Sequence, residues 1–217
     1  MKIVAFVPIK LQSQRLPNKM MLPLQNKLLF QHIFDTLLDV KKELTLMNID
    51  LDIYCYCSDQ NIKDKLPNEV IFLQRSVSLD SNNTKGMDIY KSFTDKIDSN
   101  IYMLCHATSP FITKESILKG LYKIIRENYD SAFSCSKIKT FCWYDNNPLN
   151  YSLIDVIKTQ DIEPVYWETS AFYVFKKEII KNKKRIGNNP YMVETNKIES
   201  IDIDELEDYE LALNICK

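Results

Sequence analysis

Three cations near one end of the sequence and two carboxylates near the other are the residues whose types and spacing could do chemistry. Lys10, Arg15 and Lys19 crowd the stretch KLQSQRLPNK, with Pro8 and Pro17 stiffening its path. Cationic side chains delivered together by one loop suit a polyanion such as a phosphate ester, because charge-assisted hydrogen bonds are stronger than neutral ones. Asp202 and Asp204 stand two apart in ESIDIDELEDYELAL, at the end of a strand-like run, a spacing that puts both carboxylates on one face. Two carboxylates on one face suit Mg²⁺, which takes oxygen ligands and is commonly held by one or two carboxylates plus substrate phosphates. Both patterns also have plainer explanations. Lys and Arg solvate many surface turns, and Asp204 with Glu207 would make a helix N-cap and capping box worth about 1 kcal/mol. Capping has no use for Asp202, however, and two like charges side by side repel unless a cation or proton intervenes.

The flanking sequence supplies elements able to hold these groups. Ile3 to Val7 reads as a buried strand running straight into the cationic loop. After the loop, Leu28, Leu29, Ile33, Phe34, Leu37 and Leu38 recur at helical spacing. A loop between a buried strand and a helix is where α/β folds bind nucleotides. Further strand-like runs at Asp52 to Cys57, Val70 to Leu73, Ile101 to Cys105 and Ser131 to Cys135 mostly alternate with helical patterns such as ILKGLYKII after Thr113. Such alternation predicts an α/β fold with a mostly parallel, mixed sheet flanked by helices. From Thr140 to Phe175 the pattern changes: FCWYD, a turn at Asn146, Asn147 and Pro148, then NYSLIDVIK and VYWETSAFYVF read as hairpin strands leaving the main sheet. The aromatic residues there, Phe141, Trp143, Tyr144, Tyr151, Tyr166 and Trp167, suit either a dimer surface or core packing.

Composition narrows the function classes. The 217 residues suffice for one substantial α/β domain and carry a formal net charge of −1, so no global basic field attracts a nucleic-acid backbone. No run approaches the ~20 apolar residues of a membrane span, and no signal-peptide pattern is present, which makes a cytoplasmic protein the expectation. The six cysteines include no C-x-x-C pair and the two histidines offer no matching ligand spacing, so the thiols are assigned to packing. With three glycines, Gly86, Gly120 and Gly187, the chain has neither a P-loop nor a dinucleotide fingerprint. A phosphate site must therefore use side-chain cations.

Four blocks in order, VPIKLQSQRLPNKMMLPL, LCHATSPF, KTQDIEPVYWETSAFYVF and IDIDELEDYELA, resemble the signature blocks of the acylneuraminate cytidylyltransferase (CMP-sugar synthetase) family and span nearly the whole chain. The resemblance implies one nucleotidyltransferase-like three-layer domain over residues 1–217, with a dimerising hairpin extension at about 140–165. It also implies transfer of CMP from CTP to an acid sugar, with Mg²⁺ and release of pyrophosphate. It gives Lys10, Arg15 and Lys19 to the CTP phosphates, with Ser13 and Gln14 lining the same nucleotide-binding loop, places Asp59 and Arg75 near the nucleotide, and makes Lys19, Arg15, Asp202 and Asp204 the catalytic set, the two aspartates holding the metal. Acceptor recognition falls on His106, Thr108, Ser109, Lys158, Gln160, Asp161, Tyr166, Glu168 and Thr169. The chain departs from the family pattern at Lys10, Leu11, Gln12 and Met20, has His106 for a glutamine, and has Thr169 and Ser170 for an asparagine-glycine pair. These departures point to an acidic sugar of the nonulosonate or ulosonate type other than N-acetylneuraminate. Other readings are a non-sugar or phosphorylated acceptor, a metal-dependent nucleotide-sugar glycosyltransferase, whose D-x-D motif usually falls mid-chain, and a non-catalytic nucleotide-binding relative.

Overall fold

A computed structural model describes residues 1–217. In chain order the elements are β1 (Ile3–Ile9), β2 (Pro23–Leu24), β3 (Lys27–Leu28), α1 (Leu29–Thr45), β4 (Leu51–Cys57), β5 (Ile71–Gln74), α2 (Gly86–Thr94), β6 (Ile101–Cys105) and α3 (Lys114–Arg126). There follow β7 (Ser131–Ile138), β8 (Trp143–Tyr144), β9 (Asn147–Pro148), β10 (Val165–Lys176), α4 (Lys177–Lys181), β11 (Pro190–Glu194) and α5 (Leu206–Ile215). Seven strands form one sheet in the order β11-β7-β10-β6-β1-β4-β5. Every pairing is parallel except those of β10, which runs antiparallel to both β6 and β7.

Side chains alternate across the pleat of β1 and seed two cores. Ile3, Ala5, Val7 and Ile9 pack with Phe30, Ile33, Phe34 and Leu37 of α1 and Ile117 and Leu121 of α3, while Val4 and Phe6 pack with Tyr90 and Phe93 of α2 and Ile180 of α4. A strand buried on both faces is what a sheet covered by helices requires. Phe6 and Phe93 stack at 4.2 Å between ring centroids. No helix is long and apolar enough to cross a membrane. Because β4 lies on one side of β1 and β6 on the other, the chain after β1 opens at the point where strand order reverses, the usual position of a ligand crevice in such sheets.

Gly120 lets α3 approach the sheet: a Cβ there would stand 3.1 Å from Phe172, 3.2 Å from Val193 and 3.3 Å from Ala132. All three neighbours are buried in the core and cannot retreat. Gly120→Val is therefore expected to destabilise the fold by about 1–3 kcal/mol, through overpacking. Urea denaturation checks it, with a lowered midpoint at constant m-value as the expected result.

Three expectations are corrected. The segment VYWETSAFYVF does not leave the main sheet. It forms β10 at the sheet's interior, because Ala171 to Phe175 are fully buried and its antiparallel partners β6 and β7 lie far away in sequence. The outlying hairpin is only β8 and β9, turned by Asp145 (φ 49°) and Asn146 (φ 60°), one residue earlier than the sequence suggested; these positive φ values suit a two-residue hairpin loop. Third, Asp202 and Asp204 follow no strand. Their segment runs outside the sheet, tied by the Ile203 amide to the Thr108 carbonyl at 2.8 Å, and the helix behind it is capped at Glu205, with the Asp208 carboxylate accepting from the Asp204 and Glu205 amides at 2.9 Å each. Trp143, Tyr144 and Trp167 are at least half exposed, which removes core packing for those three.

Candidate functional site

The loop after β1 is built to carry its cations inward. The Ser13 hydroxyl donates to the Leu16 carbonyl and accepts from the Lys19 amide at 3.2 Å, and Asn18 adopts a left-handed conformation (φ 54°) leading into a short 3-10 turn at Lys19–Met21. The Lys19 side chain is thereby only 9% exposed, and its Nζ donates to Asp204 Oδ1 at 2.8 Å. Arg15 Nη2 donates to Asp204 Oδ2 at 2.6 Å, with Nη1 at 3.7 Å from Glu205. Both oxygens of Asp204 are thus occupied by cations from the far end of the sequence. Burial works to raise the Asp204 carboxyl, but Lys19 and then Arg15 outweigh it and hold the group below the ordinary carboxylate range. Lys10 donates to the Asp80 carbonyl. With Gln12, Ser13, Gln14, Arg15 and Lys19 it lines a cavity of about 310 Å³.

A second cavity, of about 570 Å³, lies beyond this ion pair, lined by Glu168, Thr169, Ser170, Lys197, Asp202 and Asp208 among others. Arg15 and Asp204 line both cavities and form the wall between them. Two buried polar atoms of the second cavity, Thr169 Oγ1 and Asp202 Oδ1, have no hydrogen-bond partner in the protein, so both are available to a water or a ligand. Burial raises the Asp202 carboxyl above its ordinary range, with the Thr108 hydroxyl opposing and the Asp204 charge adding to the rise. These oxygen donors are of the type Mg²⁺ takes, with Asp202 Oδ1 free and the Asp204 oxygens available once Lys19 and Arg15 turn to a phosphate. No cluster of three His, Cys, Asp or Glu side chains is present. Ile203 between the carboxylates is fully buried against Leu24, Leu29 and Ala212, so the alternation expected of a strand survives in an extended segment that has no sheet partner.

Of the other sequence candidates, some lie beside these cavities and some do not. Asp59 caps a 3-10 helix by accepting from the Asn61 amide at 2.9 Å and lines a third cavity, about 300 Å³, with Leu11, Gln12 and Asp80. Arg75 is buried and donates to the Ile9 carbonyl at 3.0 Å and to Asp80 Oδ1 at 2.5 Å, bracing the segment that holds Lys10. Thr108 contributes its carbonyl to the Asp202–Asp204 segment, and the buried Ser109 hydroxyl is unpartnered. Lys158, Gln160 and Asp161 sit exposed in the irregular stretch after β9, and none of them lines these cavities; nor does Tyr166. Sequence reasoning missed Asp208, Lys197 and Arg185. Asp208 follows Glu205 by three, a capping-box spacing that could have found it; Arg185 gives no local signal.

His106 follows β6, its Nε2 3.4 Å from the Tyr90 hydroxyl. Burial first, then the Arg185 charge, pulls its pKa down to about 4. An unfolded histidine titrates near 6.5. Between these values the unfolded chain takes up a proton that the folded chain does not, so the His106 contribution makes stability fall as pH drops from about 6.5 to about 4. His106→Gln is expected to flatten that limb of a stability-versus-pH curve measured by denaturation; an unaltered limb would contradict a neutral buried imidazole.

A family model described as cytidylyltransferase matches residues 4–217. The N-acylneuraminate cytidylyltransferase of Streptococcus agalactiae serotype V is 22% identical over 223 residues, covering 96% of this chain and 52% of that protein. N-acylneuraminate cytidylyltransferase A of Danio rerio is 24% identical over 149 residues, covering 64% of this chain and 34% of that protein. The chain thus spans about half the length of the streptococcal relative. Among solved structures, CMP:2-keto-3-deoxy-manno-octonic acid synthetase complexed with CTP superposes with a TM-score of 0.71 at 14% identity, covering 99% of this chain and 98% of that one. The 4-diphosphocytidyl-2C-methyl-D-erythritol synthase of Anaerococcus prevotii gives 0.69 at 14% identity, covering 99% and 95%. At such identities the likeness establishes the nucleotidyltransferase-like fold.

Proposed function

This chain belongs to the cytidylyltransferase family, and from that premise we propose that it transfers CMP from CTP to an acidic sugar of the nonulosonate or ulosonate type, releasing pyrophosphate. The observation that carries the reading is the shared wall: a cation-lined cavity and a hydroxyl- and carboxylate-lined cavity meet at Arg15 and Asp204. A triphosphate in the first and an acceptor in the second would bring the α-phosphorus and the attacking hydroxyl together at that wall, the arrangement an in-line displacement needs.

In this mechanism Lys10, Arg15 and Lys19 hold the phosphates, with Ser13 shaping their loop and Gln14 lining the same cavity. As the bond to pyrophosphate breaks, negative charge grows on oxygens that Lys19 and Arg15 would face with CTP in the first cavity, so these residues stabilise the transition state more than the ground state. Thr169 and Glu168 orient the acceptor from the opposite wall. Asp202 lines the acceptor cavity beside them. Asp202 and Asp204 are the residues that would hold Mg²⁺, which when bound neutralises phosphate charge. Family membership sets aside the glycosyltransferase reading. The exposed Trp143, Tyr144, Leu153 and Ile154 of the extension support a homodimer built through that surface.

The test is pyrophosphate release from CTP with a panel of acidic sugars, a neutral sugar and a phosphorylated polyol, with Mg²⁺ present or chelated. Turnover confined to acidic sugars is the expected result. Turnover confined to the phosphorylated polyol would replace the acceptor class, and no turnover with any acceptor would make the chain a binding protein.

A further inference from the structure

We propose that Arg185 is a positioning residue for the acceptor, acting through Glu168. The inference rests on the function proposed above and assigns a role to a residue on the segment between α4 and β11. Glu168 lines the larger cavity, and a single carboxylate oxygen, Oε2, accepts from the Tyr173 hydroxyl at 2.7 Å and from Arg185 Nη2 at 2.8 Å. Oε1 is left for a ligand.

The Arg185 guanidinium also lies over the ring of Tyr173, 4.1 Å from its centroid. Tyr173 is fully buried in β10, so it gives the guanidinium a fixed floor. Glu168 and Tyr173 are the two ends of an irregularity. Glu168 pairs with Cys135 of β7 and Tyr173 with Phe133, and between them Ser170 takes a φ of 60°. A serine at positive φ in a strand is costly and persists only where its surroundings over-determine it. One guanidinium supplies that constraint by gripping both ends, with the Ser170 hydroxyl adding a 3.2 Å bond to the Tyr173 hydroxyl. Within the gripped stretch lies Thr169, whose buried hydroxyl has no protein partner. Arg185 thereby fixes both groups that would meet the acceptor: the free Glu168 oxygen and the Thr169 hydroxyl. Its hydrogen bond and ion pair go to Glu168, not to Lys10, Arg15 or Lys19, so its influence is expected to fall on the acceptor side of the wall. Lysine cannot reproduce a planar fork that stacks and donates at once.

Steady-state kinetics of Arg185→Ala should show KM for the acceptor raised about tenfold or more with KM for CTP within about twofold, a split that general loss of structure would not give. Arg185→Lys should recover part of the loss, and Glu168→Gln combined with Arg185→Ala should be no worse than Glu168→Gln alone, because the two act as a unit. A crystal structure of Arg185→Ala without substrates should show the Glu168 carboxylate displaced and Ser170 relaxed from positive φ. Equal rises in both KM values, additive losses in the double variant, or an unmoved Glu168–Ser170 stretch would overturn the proposal. Wild-type protein that turns over no acidic sugar would instead remove the function reading, and the crystal structure would still decide the role of Arg185.

Discussion

Asp204→Asn is expected to lower Mg²⁺-dependent pyrophosphate release by at least about a hundredfold, the order lost when one preorganised electrostatic group is removed from a transition state. The same substitution should leave CTP binding without metal undiminished, or tighten it. The reason is visible in the free protein: Asp204 already neutralises both Lys19 and Arg15, so an incoming triphosphate must compete with that carboxylate for its two cations. Asparagine keeps the shape and removes the competitor. Calorimetry with CTP in chelator, set beside turnover in Mg²⁺, separates the two effects. Full turnover in a folded Asp204→Asn protein would dismiss the metal assignment, and weakened metal-free binding would show that Asp204 organises the cations and does not compete for them.

Lys19→Ala should weaken CTP binding or transition-state stabilisation by about 1.5–3 kcal/mol, the worth of a hydrogen bond to a charged group, which is roughly a ten- to hundredfold loss in kcat/KM. The side chain is nearly enclosed, so no neighbouring surface lysine can substitute for it. The variant also strips Asp204 of its more buried partner, leaving Arg15 as the counter-charge. Lys19→Arg should recover only part, because a bulkier fork must fit a place shaped for a point charge. Unaltered CTP affinity and rate in Lys19→Ala would show that the loop serves another purpose.

Much of this architecture is written locally in the chain. Strands such as Ile101–Cys105 and helices such as Lys114–Arg126 announce themselves by apolar runs and spacing that any partner would satisfy. β10 does not, because Tyr166, Trp167 and Glu168 are exposed while Ala171 to Phe175 are fully buried; only its non-local neighbours β6 and β7 decide that it enters the sheet. The site divides along the same line. Lys10, Arg15, Lys19, Asp202 and Asp204 stood out because like charges cluster in sequence, and their meeting is a tertiary event that clustering at either end could only suggest. Arg75 shows what sequence leaves undecided. An arginine bracing a buried carbonyl reads, in sequence, the same as one reaching for a ligand, and the difference lies in Asp80 and Ile9, which close around it.

The bond from Lys19 to Asp204 joins residues 185 positions apart. Contacts of such long span close late, since the entropy of bringing distant segments together is met before the contact rewards it. The two N-terminal cations therefore gain their carboxylate partner only when the C-terminal segment has docked, so closure of the wall between the two cavities is tied to completion of the fold.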